Sequence, residues 1–411
     1  MTAIPRELVP AEEPTRRVRL DIDGVGSFDS WSAVEIVRDL QDFAGSFTVI
    51  ARDATRSAAT FDYASPPPLY RLRPGPAVRL SIDGEQVLVG WIEKVAPDID
   101  EFRAQVTISG RDKSGDLVDS AAAPDGPGEF RQVKLDDAAA RIAAPFGLTV
   151  RSEIDTGRPF DRYPLELAET GLAAIEKGAR QRHALVTSDG TGGIVLTRTG
   201  GTRAPADLTL PGNMKGSHAE YSHEGRYSRT VVHGQGERAG GRRTGRSAAL
   251  DVTAEPLSIE DRAAGDGSAT ERERFGTAVK GSAFDPEITR YRPIVHLAKT
   301  QADGMAAADE ADWRMRTARA AAEALVTRVH GELWKVNQLA YVSDAFQGIE
   351  RDELISRTAF RYDERGEETE LTLTSPEAFD AQPVASRRTN QKSRSKTKAK
   401  PKALDTTAEA L

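Results

Sequence analysis

Six histidines are the side chains of this chain best suited to hold a metal or move a proton near neutral pH: His183, His218, His223, His233, His296 and His330. Three of them, His218, His223 and His233, lie close together in sequence. On an extended strand successive side chains alternate faces, so residues five apart point to opposite sides. His218 and His223 would therefore meet at a metal only across a turn. No His-Glu-x-x-His pattern occurs. Cysteine is absent, which excludes a disulfide, a thiolate zinc site and a cysteine nucleophile. Serine, histidine and aspartate are all present, but no Gly-x-Ser-x-Gly elbow presents a nucleophile. The chain carries 63 acidic residues, and nothing in their spacing selects a pair for glycoside hydrolysis.

Gly190, Gly192 and Gly193 are the one glycine cluster that could cradle a phosphate. They sit in a turn between two β-prone runs, His183 to Thr187 and Ile194 to Thr197, and not between a strand and a helix. No Gly-Lys-Ser/Thr follows, so a nucleotide site is rejected. The expectation is no catalytic, no cofactor-binding and no metal-binding residue, and hence no enzyme and no cofactor.

Charge is the sharpest remaining feature. The net charge is −7, yet Arg387, Arg388, Lys392, Arg394, Lys396, Lys398, Lys400 and Lys402 lie together without an acid among them. The body is acidic and the tail basic. An acidic body repels nucleic acid, and the tail has no aromatic residues for base stacking. Salt-dependent contact with phosphates through the tail is the only nucleic-acid role the sequence leaves open.

The elements that would position such groups are mostly strands. Of 411 residues, 38% are hydrophobic and 29% charged, with 35 Gly, 22 Pro and only 6% aromatics. That mix suits short strands joined by turns. At roughly 150 residues per domain the length implies about two to four domains. No run of about 18 apolar residues occurs, so no membrane span is expected. The opening segment lacks the cationic and apolar regions of a signal peptide, so synthesis in the cytoplasm is expected.

Residues 1–15 are read as a flexible arm. Residues 16–112 alternate as strands and turns. Val78 to Ile82, the turn Asp83-Gly84 and Val87 to Ile92 form a two-residue hairpin with positive φ at both central positions. Residues 113–218 read as an α/β domain, with helices over Asp112 to Ala122, Lys134 to Phe146 and about Thr170 to Arg182. Strands return over 219–236, and 237–286 reads as an irregular insertion, partly disordered. A long helix is expected from Ala302 to Val329, within a segment 237–329 that interrupts a β-domain. Its second half is expected at 330–375, in strands Gly331 to Val336, Glu353 to Tyr362 and Glu368 to Thr374. Residues 376–411 form the basic tail, expected to be disordered. The fold class is α+β multidomain: two small antiparallel β-barrels, the second discontinuous, plus an inserted α/β domain.

Five stretches, in order, resemble the P-type tail proteins of Mu-like phages, which form the baseplate hub. They are Ile108 to Ala121, Arg226 to Gln235, Arg292-Pro293-Ile294-Val295 through Trp313, Gly331 to Asn337 with Gly348-Ile349 and Glu353-Leu354-Ile355, and Gly366 to Phe379. The resemblance spans most of residues 16–380. It implies a homotrimer in which two related barrels per chain build a ring, with a sixfold tail tube on one side and a threefold spike on the other. It also implies the partners: a central spike protein, the tail tube or tape-measure end, and baseplate wedge proteins, with no membrane. Rival readings are a tailocin or type VI secretion hub, a hub that degrades peptidoglycan, and a tail protein that contacts DNA.

Overall fold

The computed structural model describes residues 18–235, 278–297 and 304–380, apart from Ser30, 54–56, Asp125, Pro127, Gly331, Glu364 and Arg365. The expected N-terminal arm, most of the 237–286 insertion and the tail beyond Asp380 lie outside the described residues; Pro376–Phe379, expected in the disordered tail, form a short 3-10 helix.

The first unit holds β1 (Val18–Ile22), β2 (Gly26–Phe28), β3 (Ala33–Asp39), β4 (Ser46–Asp53), a short helix α1 (Pro68–Arg71), β5 (Ala77–Ile82), β6 (Glu85–Ile99) and β7 (Ala104–Asp112). Alternation sets its core: in β7 every second residue from Ala104 is buried, and Val106 and Ile108 join Leu20, Phe47, Val49, Leu80 and Leu88. Asp83 and Gly84 both have positive φ, 52° and 87°, as the hairpin between β5 and β6 requires.

The α/β unit follows with α2 (Gly115–Asp119), β8 (Glu129–Val133), α3 (Leu135–Ala143), β9 (Thr149–Ser152), β10 (Phe160–Pro164), α4 (Gly171–Gln181), β11 (Leu185–Ser188) and β12 (Gly193–Thr197). Leu135, Ala138, Ala139 and Ile142 of α3 pack on Ala174 and Ile175 of α4. Asp136 and Asp137 occupy the first turn of α3, where the helix dipole favours anions. The Thr170 hydroxyl accepts the Ala173 N–H and caps α4. The helix expected over Asp112 to Ala122 is only one turn long, because the chain turns extended at Ser120.

The third unit contains β13 (Thr202–Arg203), β14 (Leu208–Leu210), β15 (Met214–Tyr221), β16 (Arg229–Gln235), β17 (Ala278–Phe284), β18 (Pro293–Leu297), α5 (Gly304–Ala321), β19 (Glu323–Val329), β20 (Gln338–Asp344), β21 (Ile349–Asp363) and β22 (Gly366–Thr374). Several expectations change here. The strands from Thr202 onward pair within the large sheet, so the α/β unit stops before them and not at residue 218. The long helix ends at Ala321. Its Ala-rich part is helical, whereas Leu325, Val326, Thr327 and Val329 form β19, which alternates buried and exposed as a strand between β15 and β22. Of the strand expected at Gly331 to Val336, Gly331 lies outside the described residues and Glu332 to Val336 is not a strand; Asn337, at φ 64°, breaks the extended path just before β20. The anticipated pairing of 219–236 with the strands after Gly331 is not made among the described residues: residues 219–221, in β15, pair with β19 and reach β22 only through it. β16 pairs instead with β17 and β18 in a separate three-stranded sheet covered by α5. Residues 278–284, expected as irregular insertion, are thus a strand. There Gly281 lets α5 approach: a Cβ would lie 2.1 Å from the Ala308 nitrogen.

The architecture is α+β, multidomain and mostly β. One 14-stranded sheet runs β15-β19-β22-β21-β3-β4-β7-β6-β5-β1-β2, with β20 on β21 and both β13 and β14 on β20. The expected closed barrels are not formed by strand pairing. Among the described residues the first unit ends at β2, and no ladder joins β14 to β15.

The two β-units nevertheless share a strand order. In the first, β3-β4-β7-β6-β5-β1 are neighbours; in the second, β15-β19-β22-β21-β20-β14 are. Each has one strand of 15 residues, β6 and β21, bulged at Ile92/Lys94 and at Ile355/Arg357. At those bulges the same bond recurs: Gly75 N–H donates to the Ile92 carbonyl at 2.8 Å, and Asn337 N–H to the Ile355 carbonyl at 2.9 Å. The one reversal is that β1 runs antiparallel to β5 while β14 runs parallel to β20.

Candidate interaction surfaces

The residues singled out for chemistry are scattered. His218 lies on β15 opposite Val326, His233 on β16 between Lys280 and Leu297, and His223 in the loop between those strands. His183 sits just past α4 at φ 53°, a chain-reversing position. Among the described residues no group of three or more His, Asp and Glu could hold a metal ion.

The Gly190–Gly193 turn is filled by its own chain. Asp189 Oδ1 accepts the N–H groups of Thr191 and Gly193, each at 2.8 Å, and Ser188 Oγ accepts that of Gly190 at 3.0 Å. A phosphate would find those donors already taken, which is the physical reason this glycine cluster is not a phosphate cradle.

What the sequence did not single out is the junction between units. Asp112, at the end of β7, is 1% exposed. Its Oδ2 accepts Gly45 N–H at 2.9 Å and its Oδ1 accepts Ser114 N–H at 2.9 Å. The hydroxyls of Ser114 and Ser188 also donate to it. Nearby, Arg38 donates to the Ser188 carbonyl. Burial pushes the Arg38 guanidinium below its ordinary value, while Asp112 and Asp189 oppose that shift. Beside this knot a cavity of about 530 Å³ opens where the three units meet, lined by Arg38, Val87, Arg151, Ser188, Trp334 and Phe360 among others.

The two β-units are joined directly. β21 pairs antiparallel with β3 from Arg357↔Asp39 to Tyr362↔Val34. Arg361 bridges the joint, with Glu35 at 2.9 Å and Glu370 at 2.7 Å, and Arg357 lies 3.2 Å from Glu370. For Arg361, burial works against the charge, yet the hydrogen bonds to Glu35 and Glu370 outweigh it and raise the pKa. The third unit also buries a carboxylate, Glu353, 2% exposed, whose pKa burial raises against the pull of Arg351.

The small sheet is anchored by a bidentate pair that is almost fully buried. Arg226 donates to both oxygens of Asp285, at 3.0 and 2.8 Å, and to Glu287 at 2.6 Å. On the α5 side of β18, burial and the nearby Arg314 lower the His296 pKa, with Glu310 opposing. The other face of this sheet shows Phe284, Val295 and Leu297 to solvent, with Arg229 stacked 5.2 Å over Phe284.

The described surfaces include sheet edges, exposed faces and charged ladders, the material of protein–protein contact. Comparison with known proteins agrees with that character. Residues 17–112 match the family model described as Mu phage baseplate assembly protein GpP-like, N-terminal; residues 114–198 match baseplate hub protein gp44-like, second domain; residues 304–382 match Mu phage baseplate assembly protein GpP, fourth domain. The baseplate hub protein gp44 of Escherichia phage Mu is 29% identical over 379 residues, covering 89% of each chain. Among solved structures, the 43 kDa tail protein of prophage MuSo2 from Shewanella oneidensis superposes with a TM-score of 0.71 at 26% identity, over 89% of this chain and 100% of that one. A tail protein from Neisseria meningitidis MC58 shares the fold, with a TM-score of 0.65 at 20% identity over 90% of this chain and 100% of its own.

Proposed function

We propose, from the similarity of three stretches of this chain to Mu-type baseplate hub models and of most of its length to the phage Mu hub protein, that it belongs to that family, is the structural hub of a contractile phage tail baseplate and performs no catalysis. Three copies form a ring, placing two barrel-like β-units from each chain around one axis. The ring adapts the sixfold tail tube to the threefold central spike. Its partners are the spike, the tube or tape-measure end, and the surrounding wedge proteins. Its place is the tail of the virion, after synthesis in the host cytoplasm.

The observation that carries this reading is the common strand order of the two β-units. A trimer meets a trimeric spike through equivalent contacts without any special device. It meets a hexamer through equivalent contacts only if each chain offers two similar surfaces, and an internally duplicated chain does so. The direct β3·β21 joint fixes the two surfaces relative to each other.

Light scattering coupled to size exclusion tests the ring: the expected mass is three times 44.5 kDa. Labelling purified tails tests the location, with signal expected at the distal end of the tube. Tails that lack the protein there would overturn the hub reading.

A further inference from the structure

The correspondence between the two β-units leaves one junction without its counterpart. Within the chain, β3 adds to the outward side of β21 beyond the Asn337–Ile355 bond. The strand matching β21 is β6. There β5 pairs as far as Trp91, Gly75 and Pro76 bond Ile92, and from Lys94 to Ile99 the only ladder among the described residues is with β7. The strand matching β3 is β15, which among the described residues pairs with β19 alone. Two open edges therefore occupy the places that β21 and β3 fill in the internal joint: the second half of β6, past the end of β5, and β15 at one end of the sheet.

We propose that β15 of one copy adds antiparallel to the second half of β6 in a neighbouring copy, in the register that β3 takes on β21. This deepens the trimeric reading above and rests on it. The register follows from superimposing the bulges, which sets Ile355 on Ile92 and Arg357 on Lys94. Carried across the ladders, Arg361 maps to Asp98 and Glu35 maps to His218. His218 then lies opposite Asp98, Glu220 opposite Ala96 and one pleat from Lys94, and Tyr221 opposite Val95.

Three independent observations fit this register. The first is the direction of the backbone groups. Asp100 N–H donates to the Arg103 carbonyl, so by alternation Lys94, Ala96 and Asp98 bond β7 while Val95, Pro97 and Ile99 turn outward. Ser222 N–H donates to the Ala322 carbonyl, so Ser217, Ala219 and Tyr221 turn away from β19. These outward sets face each other in the joint. Pro97 brings no N–H, but its carbonyl still accepts from Ala219, and an outward-facing edge is where a strand tolerates proline.

The second is charge. The internal joint holds the Glu35–Arg361 pair; the proposed one places Asp98 opposite His218 at the same two positions, with Glu220 diagonal to Lys94 on the same face. The third is the other face. In the internal joint it carries Val34, Ile36 and Phe360, all in the first core. In the proposed joint it carries Ala219, Tyr221, Val95, Pro97 and Ile99, which covers a tyrosine now 61% exposed.

The chain has no cysteine, so engineered thiols report one contact only. Positions 98 and 218 form a non-hydrogen-bonded pair in this register, the closer of the two antiparallel pair types and within reach of a disulfide. Oxidising the Asp98→Cys/His218→Cys double variant is expected to give covalent dimers and trimers on non-reducing gels. Mixing the two single variants is expected to give covalent dimers, and neither alone should. Ala96→Cys/Glu220→Cys should also cross-link, whereas Asp98→Cys/Tyr221→Cys, displaced onto the opposite face, should not. A trimer by light scattering with no 98–218 bond, or with the bond formed inside one chain, overturns the strand joint and leaves the trimeric hub intact. A monomer that gives no cross-link overturns both.

Discussion

The hydroxyl of Ser188 donates to the carboxylate of Asp112 at 3.1 Å, and that bond ties the last residue of β7 to the last residue of β11. The carboxylate is buried and also accepts from Gly45 and Ser114, so one side chain serves three segments of the chain. Asp112→Ala strands those donors without water. A loss of about 3 kcal/mol is expected, against about 1 kcal/mol for Ser188→Ala. Urea unfolding checks the difference, and hydrogen exchange should show β11 and the Gly190–Gly193 turn opening first.

The Arg226–Asp285 pair makes a different prediction. Both side chains are within a few per cent of full burial, so removing Arg226 leaves the Asp285 carboxylate unpaired in the interior, and removing Asp285 leaves Arg226 only the partly exposed Glu287. Arg226→Ala or Asp285→Ala should each cost about 3–5 kcal/mol, while the double change costs much less than their sum. A double-mutant cycle read by hydrogen exchange in β16–β18 gives the coupling directly.

His296 gives the small sheet a pH dependence. Burial and Arg314 hold its folded pKa below the ordinary histidine value. The unfolded chain then binds a proton that the folded chain does not, so the stabilising contribution is complete above about pH 6.5 and declines as pH falls through the range down to the folded pKa. Between about pH 8 and 5, where histidine changes charge, the melting temperature of His296→Gln should vary less than that of the parent.

Glu353 has the opposite sign. Burial raises its pKa, so the folded state holds the proton more tightly than the unfolded state and stability falls as pH rises through the ordinary glutamate range. Glu353→Gln removes that loss. Its melting temperature relative to the parent should therefore be higher at neutral pH than at about pH 4.

Alternation and turn chemistry made the first unit legible. Val78 to Ile82, Asp83-Gly84 and Val87 to Ile92 are the hairpin that their types require, and α3 and α4 begin within a residue of their expected starts. The errors have local causes. Residues 302–325 are mostly good helix formers, but Val326, Thr327 and Val329 are β-branched, and pairing with β15 and β22 draws 323–329 into a strand. Residues 278–284 look weak because Gly281 and Ser282 lack bulk, yet Gly281 is what admits α5. The duplication was invisible for a similar reason. Glu93 and Ser356, Asp98 and Arg361, Pro97 and Phe360 occupy matching places without matching chemistry, because strand order constrains the backbone far more tightly than the side chains.

The internal joint between β3 and β21 also bears on mechanics. Because the two β-units are continuous through backbone hydrogen bonds and not tethered by a loose linker, a pull along those strands loads the whole Arg357–Tyr362 ladder in shear, with its bonds resisting together. A pull across the strands would open the same ladder one bond at a time. The sheet is therefore stiff along one direction and weaker along the other, and a load applied along the strands would meet the stiff one.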